Sequence, residues 1–281
     1  MIRAYYPKPL FPPVSLSDGC MLMCKHCMGR YLDGMVKITE PEKLVEFCKG
    51  LEERGGKGIL VSGGSDADGR IIGLEKSVDA LKKIRKETDL VVAVHAGYVD
   101  RATAEELADA CDIAFVDMVG SDETARQVIG IGISKYTETL SNLISGGIPT
   151  TPHITIGLHY GRIEGEYSVL ESLRDFPVKK IVLNVIVPTR GTYFEGIDIP
   201  DMGEIEDIIK KARGTGAEVA LGCMRPRRMR EIERIAIDNG VRDLAVLSGK
   251  SISYAQENGH SVEKVQACCG LSDELIKKVL E

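Results

Sequence analysis

Residues 58–97 read GILVSGGSDADGRIIGLEKSVDALKKIRKETDLVVAVHAG, and this stretch decides the fold class. Gly58–Ser62 and Leu90–His95 are short β-rich runs, each stopped by glycine. The spacing between them predicts an amphipathic helix near Leu74–Lys86. Strand, helix, strand is a parallel pair joined by a crossover, and such crossovers are right-handed.

The alternation continues in both directions. Further strands are expected at Val14–Ser17, Ile113–Asp117, His153–Leu158, Lys180–Val187, Ala217–Gly222 and Asp243–Leu247, making eight. A helix opens at Thr39-Glu40-Pro41-Glu42, with Pro41 where a first turn tolerates it. Others are expected near Thr103–Ala110, Ser134–Ser145, Glu166–Arg174, Gly203–Arg213, Met229–Asn239 and Ile252–Asn258. Eight such units predict an α/β fold, a closed (β/α)8 TIM-like barrel of parallel strands, with an open doubly wound sheet as the alternative. Chemistry in such barrels sits at the C-terminal strand ends. Those ends carry the unusual residues here, among them Gly19-Cys20, Ser62-Gly63-Gly64-Ser65, His95, Asp117 and Gly222-Cys223-Met224-Arg225. Residues 1–281 are expected to form one domain, with 1–13 as an N-terminal extension and 259–281 folding back over the barrel mouth.

Composition narrows the function. The chain is 43% apolar and 28% charged, which is ordinary for a folded soluble protein. Net charge is −6 and no block of Lys or Arg is long enough to neutralise a phosphate backbone, so no nucleic-acid partner is expected. Apolar runs such as Leu90–Ala96 are strand-length, far short of the roughly 20 residues a bilayer needs, so no membrane span is expected. Met1–Pro13 lacks the apolar core of a secretory signal, and a cytoplasmic location is expected. Thiols stay reduced there, so eight cysteines point to metal binding or catalysis rather than disulfides.

Cys20-Met21-Leu22-Met23-Cys24-Lys25-His26-Cys27 is a C-x3-C-x2-C loop following the first strand. Three thiolates this close wrap one face of a 4Fe–4S cube and leave the fourth iron open to a substrate or cofactor. A zinc knuckle is the plainer alternative, but zinc sites favour paired C-x2-C units and four ligands, and no second pair occurs.

In this loop the sequence resembles the radical S-adenosylmethionine (SAM) superfamily, whose signature is C-x3-C-x-Φ-C with Φ aromatic, here His26. The resemblance implies that Cys20, Cys24 and Cys27 hold the cluster. It also implies that the open iron chelates S-adenosylmethionine, whose cleavage yields a 5′-deoxyadenosyl radical, and that the His26 ring lies near the adenine. An electron donor such as ferredoxin or flavodoxin is implied as a partner. Ser62-Gly63-Gly64-Ser65 is similar to the family's GGE-type motif for the methionyl amino group, with Ser65 in place of the usual Glu. His153-Ile154-Thr155-Ile156-Gly157 resembles its G-x-I-x-G element. Asp117 is a candidate for a ribose hydroxyl or for a helix cap, and His95 for a site residue or a core histidine. No catalytic side chain beyond the cluster ligands is assigned.

Cys48, on an apolar helix face, and Cys111, at the start of a strand, read as small buried hydrophobes. Cys223 ends a strand, and Cys268-Cys269 follow the last helix in a chain expected to return over the mouth. These three are expected to hold a second, auxiliary 4Fe–4S cluster. Its fourth position falls to Arg225, Ser248, Ser251 or substrate, and redox-active thiols on a tail are the alternative.

The wider resemblance is to the biotin and lipoyl synthase-like branch, closest to a subunit of the archaeal-type two-component lipoyl synthase. It implies insertion of auxiliary-cluster sulfur into an octanoyl chain on a carrier protein or peptide, with a second radical SAM subunit as partner. The cysteine triplet and terminal Arg-Ser-Ser-Tyr of the single-chain bacterial enzyme are absent from this sequence. Ring formation or methylation in cofactor biosynthesis, with an electron-transfer auxiliary cluster, is the alternative, and a non-enzymatic metal scaffold a further one. Arg190, Arg225, Arg227, Arg228 and Lys250 crowd the later strand ends, suiting an acidic ligand or partner or forming a solvated rim.

Overall fold

The computed structural model describes the whole chain, Met1–Glu281. Its strands are β1 (Ile2–Tyr5), β2 (Pro13–Ser15), β3 (Val36–Lys37), β4 (Gly58–Ser62), β5 (Val91–His95), β6 (Ile113–Met118), β7 (Thr150–Ile156), β8 (Lys180–Val185), β9 (Glu218–Leu221), β10 (Asp243–Ala245) and β11 (Val262–Val265). The helices are α1 (Pro41–Glu53), α2 (Leu74–Glu87), α3 (Arg101–Leu107), α4 (Asp122–Thr124), α5 (Ser134–Ser145), α6 (Glu166–Ser172), α7 (Met202–Arg213), α8 (Arg230–Asp238), α9 (Gly249–Glu257) and α10 (Asp273–Leu280). Helix starts follow local chemistry. Asp100, Ser248 and Ser272 cap α3, α9 and α10, and Asp201 with Glu204 forms a capping box on α7, each cap contributing about 1 kcal/mol.

All eight expected strands are present, as β2 and β4–β10. The expected closure is not. The sheet has 11 strands in the order β11-β1-β10-β9-β8-β7-β6-β5-β4-β2-β3, every pair parallel, and no pairing joins the β3 edge to the β11 edge. The physical reason lies in the termini. β1 inserts between β10 and β11, with Arg3 opposite Asp243 and Ile2 opposite Val262, so residues 1–13 extend the sheet rather than the domain's outside. A closed eight-strand barrel fills its interior with its own side chains, whereas a wider curl needs a plug.

The C-terminal segment supplies it. A larger core of 59 buried residues lies between the sheet and its helices, and a second of 15 occupies the lumen. In that lumen Tyr5, Val91, Phe115, Val182 and Ala220 meet Cys269, Leu271, Ile276 and Val279 of the tail. After β11 the chain therefore turns inward and descends, and does not fold over the mouth. Gly270 packs on the Phe115 ring and its carbonyl accepts from Thr151 Oγ1 at 2.9 Å. α10 then reaches the N-terminal strand ends, where the inward charges of Arg3, Lys180 and Asp243 meet. Lys180 Nζ donates to Asp243 Oδ2 at 2.6 Å and to the Leu271 carbonyl at 2.8 Å. Arg3 bonds Asp243 at 2.6 Å and Asp273, the first residue of α10, at 2.5 Å. Buried charge is tolerated here because each ion has partners.

Candidate functional site

Past β2 the chain enters a loop pinned by its own side chains. Ser17 Oγ donates to the Gly19 carbonyl at 3.1 Å and accepts from the Gly64 N–H at 2.7 Å. The exits of β2 and β4 are thereby laced together. A methyl group on Gly64 would collide with the Gly19 carbonyl, so this approach admits only glycine. Cys20 Sγ accepts from the Ser65 N–H at 3.3 Å, and the Met21 N–H donates to the Ser65 carbonyl at 2.7 Å. The Ser65 hydroxyl takes no part in these bonds.

The loop then turns tightly. Met23 and Met28 adopt left-handed backbone at φ 45° and 46°, conformations costing about 1 kcal/mol or more each. The N–H groups of Cys27 and Met28 both donate to the Cys24 carbonyl. As a result one ligand atom each from Cys24, His26 and Cys27 lies within 4.8 Å of the others. Cys24 hydrogen-bonds to Cys27 and, with help from His26, pulls the Cys27 thiol down to about 4 against burial, while Cys24 itself is raised. The thiolate is the ligating form. His26 packs edge-on against Tyr31 and Phe194, with centroids at 5.8 and 6.2 Å, and its Nδ1 is buried without a partner.

These groups border a cavity of about 480 Å³ at the C-terminal strand ends. Cys20, Cys24, His26, Cys27, the whole run Ser62-Gly63-Gly64-Ser65, His95, Asp117 and Cys223 all line it. Cys268 and Cys269 do not; they lie deeper, in the lumen beneath. Cys269 donates to Cys268, which lowers Cys268 and raises Cys269. The structure does not gather this pair and Cys223 into one cluster of ligand atoms; the cysteine-bearing cluster it forms is Cys24, His26 and Cys27. Cys48 and Cys111 are buried, and desolvation pushes each thiol up to about 12, as befits core residues.

His95 and Asp117 face each other, Nε2 to Oδ1, at 3.6 Å. Against desolvation within the cavity, His95 and then His153 hold the Asp117 carboxyl down at about 2. Burial likewise opposes the charge on His95, and Asp117 outweighs it and raises the imidazole. The helix-cap alternative for Asp117 fails, because Ser121 caps the next helix. Several further polar residues of the cavity escaped sequence selection as site residues, His153, Asn184, Lys135 and Thr155 among them. His153 is opposite Asp117 in register, and Asn184 Oδ1 accepts from the Met224 N–H at 3.3 Å. Asn184 had one signal, being the lone uncharged polar residue of an apolar strand. Its close approach to Gly222 sets the path of the Cys223 loop. Of the five cations singled out at the rim, Arg225 is buried against Glu233, and Arg227 Nη2 donates to the Cys223 carbonyl at 2.5 Å.

Residues 14–175, more than half of the chain, match the family model of the radical SAM superfamily. The chain belongs to that superfamily. Biotin synthase of Pelobacter propionicus (strain DSM 2379 / NBRC 103807 / OttBd1) is 26% identical over 194 residues, covering 65% of this chain and 57% of the relative. The chain thus spans little more than half the length of that curated relative. Among solved structures, methylornithine synthase (PylB) superposes with a TM-score of 0.62 at 15% identity, over 87% of this chain and 72% of that one. HydG, a maturase of the FeFe-hydrogenase, gives 0.64 at 14%, over 87% and 56%. At such identities these two likenesses carry the fold alone.

Membership in the radical SAM superfamily implies a 4Fe–4S cluster and S-adenosylmethionine. The residues present fit both. Cys24 and Cys27 lie within 4.8 Å of each other on one tight loop, with Cys20 lining the same cavity, and thiols so placed suit iron. Gly63, Gly64 and His26 border the adjoining cavity, as a polar nucleotide ligand requires. No helix of this radical SAM protein is long and apolar enough to cross a membrane.

Proposed function

We propose that this protein is a sulfur-inserting radical SAM enzyme, lipoyl synthase-like, acting on an octanoyl chain borne by a carrier protein or peptide. When bound, the cluster and S-adenosylmethionine supply a 5′-deoxyadenosyl radical able to take hydrogen from an unactivated carbon, and a second cluster supplies sulfur. Cys20, Cys24 and Cys27 hold the first cluster. Ser62, Gly63, Gly64 and Ser65 present backbone groups to the methionyl part, and His26 lies against the adenine. Cys223, Cys268 and Cys269 hold the second group. Ferredoxin or flavodoxin delivers the electron, and a second radical SAM subunit is the proposed companion.

The observation that carries this reading is the course of the tail. It carries Cys268 and Cys269 into the lumen beneath the cavity that the three-thiol loop borders and that Cys223 lines. Apolar side chains such as Leu22, Met35, Ile129 and Met118 also line that cavity, which suits an alkyl chain and keeps water from a radical. Two measurements test it. Two cubes require about eight irons per chain and one requires about four. Cys223→Ala and Cys268→Ala should leave cleavage of S-adenosylmethionine intact and abolish sulfur transfer to an octanoylated peptide, assayed with and without a partner radical protein. Sulfur product formed by either variant sinks the assignment.

A further inference from the structure

We propose that Lys25 is a positioning residue of the cysteine loop, whose ammonium, clasped by tyrosines rather than by a carboxylate, favours the one-electron-reduced form of the first iron–sulfur group. The proposal needs only that first group, which superfamily membership implies, and is independent of the second.

Lys25 stands between Cys24 and His26 in the chain. Cys24, His26 and Cys27 line the cavity and Lys25 does not, so its side chain leads away from the space a substrate would occupy. It is fixed at both ends. Its N–H donates to the Val128 carbonyl at 2.8 Å. Val128 belongs to the π-helical turn Ala125–Ile129 that follows α4, and a carbonyl in the last turn of a helix has no partner within it. The ammonium donates to the Tyr160 hydroxyl at 3.0 Å, and it lies 5.7 Å from the centre of the Tyr160 ring and 6.0 Å from that of Tyr193. Such contacts hold a cation without neutralising it. Tyr160 itself adopts left-handed backbone at φ 51° and stacks on the buried Phe194 with ring centres 5.0 Å apart, and Phe194 meets His26 at 6.2 Å. The contacts leave the loop at Lys25 and return to it at His26.

Other cations of this mouth are paired. Lys135 donates to Asp68 Oδ1 at 2.9 Å and Arg225 to Glu233 Oε1 at 2.7 Å. A paired cation presents a dipole to its surroundings, and the Lys25 ammonium presents a full charge. Adjacent Cα atoms are about 3.8 Å apart and a lysine stem adds about 7 Å at most, so Nζ lies within about 11 Å of the Cys24 Cα. That is close to the Debye length of about 10 Å at about 0.1 M salt, and partly buried charges are screened less than exposed ones. Reduction gives the charge its effect. A one-electron carrier loses one electron and the iron–sulfur group gains it, which adds one negative charge at the loop. A fixed cation stabilises that state and raises the midpoint potential, because net charge is among the quantities that set it.

The test is a potentiometric titration followed by electron paramagnetic resonance. The full chain carries Cys223→Ala, Cys268→Ala and Cys269→Ala, so that Cys20, Cys24 and Cys27 hold the iron whether or not the wild type has a second group. In that background Lys25→Met should shift the midpoint potential negative at unchanged iron content. Lys25→Arg should keep the midpoint, and Lys37→Met, on the exposed strand β3, should leave it unmoved. Tyr160→Phe retains the ring but drops the hydroxyl that holds the ammonium, and should shift the midpoint in the same direction by less. Lys25→Gln removes the charge and can still donate to Tyr160, so it carries the test should Lys25→Met bind less iron. A midpoint unmoved in the neutral variants, or moved as far by Lys25→Arg as by Lys25→Met, overturns the proposal. Neither result bears on sulfur insertion, which stands or falls with the second group.

Discussion

At the N-terminal strand ends, Lys180, Asp243 and Arg3 point into the lumen, each with oppositely charged partners, beneath a covering helix. At the C-terminal ends, His95, Asp117, His153 and Cys223 border the same lumen, and a cavity stands open above them. One sheet therefore turns polar groups inward at both of its ends. At the first mouth the groups satisfy one another, and what they contribute is stability. At the second they are held close without being used up: the His26 Nδ1 is orphaned, the His95–Asp117 contact is long, and two non-glycine residues of the cysteine loop are strained. Stability and chemistry are divided between the two ends of the same strands, as expected of a barrel-like fold.

That contrast is open to measurement, and the largest effect belongs to the lower mouth. Lys180→Met removes two hydrogen bonds from the lumen and leaves Asp243 with Arg3 as its one cationic partner, so it should cost about 3 kcal/mol in urea unfolding while iron loading of the folded protein stays unchanged. A loss below about 0.5 kcal/mol would mean that the ion network is ornamental. At the upper mouth the comparable quantity is a pH slope. Burial, and then His95, hold His153 at about 4, below its ordinary 6.5. Between those values the unfolded chain binds a proton that the folded chain refuses. Stability should therefore fall as pH drops from 6.5 towards 4, by up to about 3 kcal/mol. Denaturation of iron-free wild type and His153→Phe at pH 7 and pH 4.5 checks this: the variant should lose that part of the slope.

Smaller effects separate backbone from side chain in the cysteine loop. Gly64→Ala drives a methyl group into the Gly19 carbonyl and should cost about 1–3 kcal/mol, together with a fall in iron bound per chain. Ser65→Ala should change stability and S-adenosylmethionine affinity by less than about 0.5 kcal/mol, because Ser65 meets the loop through its N–H and carbonyl. A large loss in affinity on Ser65→Ala would give the hydroxyl the ligand role that Glu has in many family members.

Much of this was readable from residue order, for reasons that differ between regions. The eight inner strands announce themselves because they are largely buried on both faces, as in Lys180–Val185, and are followed by amphipathic helices, several of them capped, as α3, α7 and α9 are. The cysteine loop is legible because its chemistry is local in sequence. β1, β3 and β11 are not. Val36–Lys37 is two exposed residues, and Val262–Val265 carries Glu263 and Lys264 with little burial, so neither has a pattern of its own. Their pairing is decided by what lies beside them in space. The inward course of the tail is likewise silent, since Ala267 and Gly270 fit the lumen by being small and show no periodicity. His95 and Asp117 could be placed at strand ends, but that they face each other depends on the register of β5 against β6, which no short stretch encodes.

The position of β1 has a consequence for how the molecule is made. Its neighbour Asp243 lies 240 residues beyond Arg3 in the chain, and Val262 lies further still. The strand must wait for those distant residues before it finds a hydrogen-bonding partner, a topology that slows folding. Iron loaded early onto the Cys20–Cys27 loop would meet a sheet without β1, β10 and β11, so the order of events favours metallation after those strands have joined.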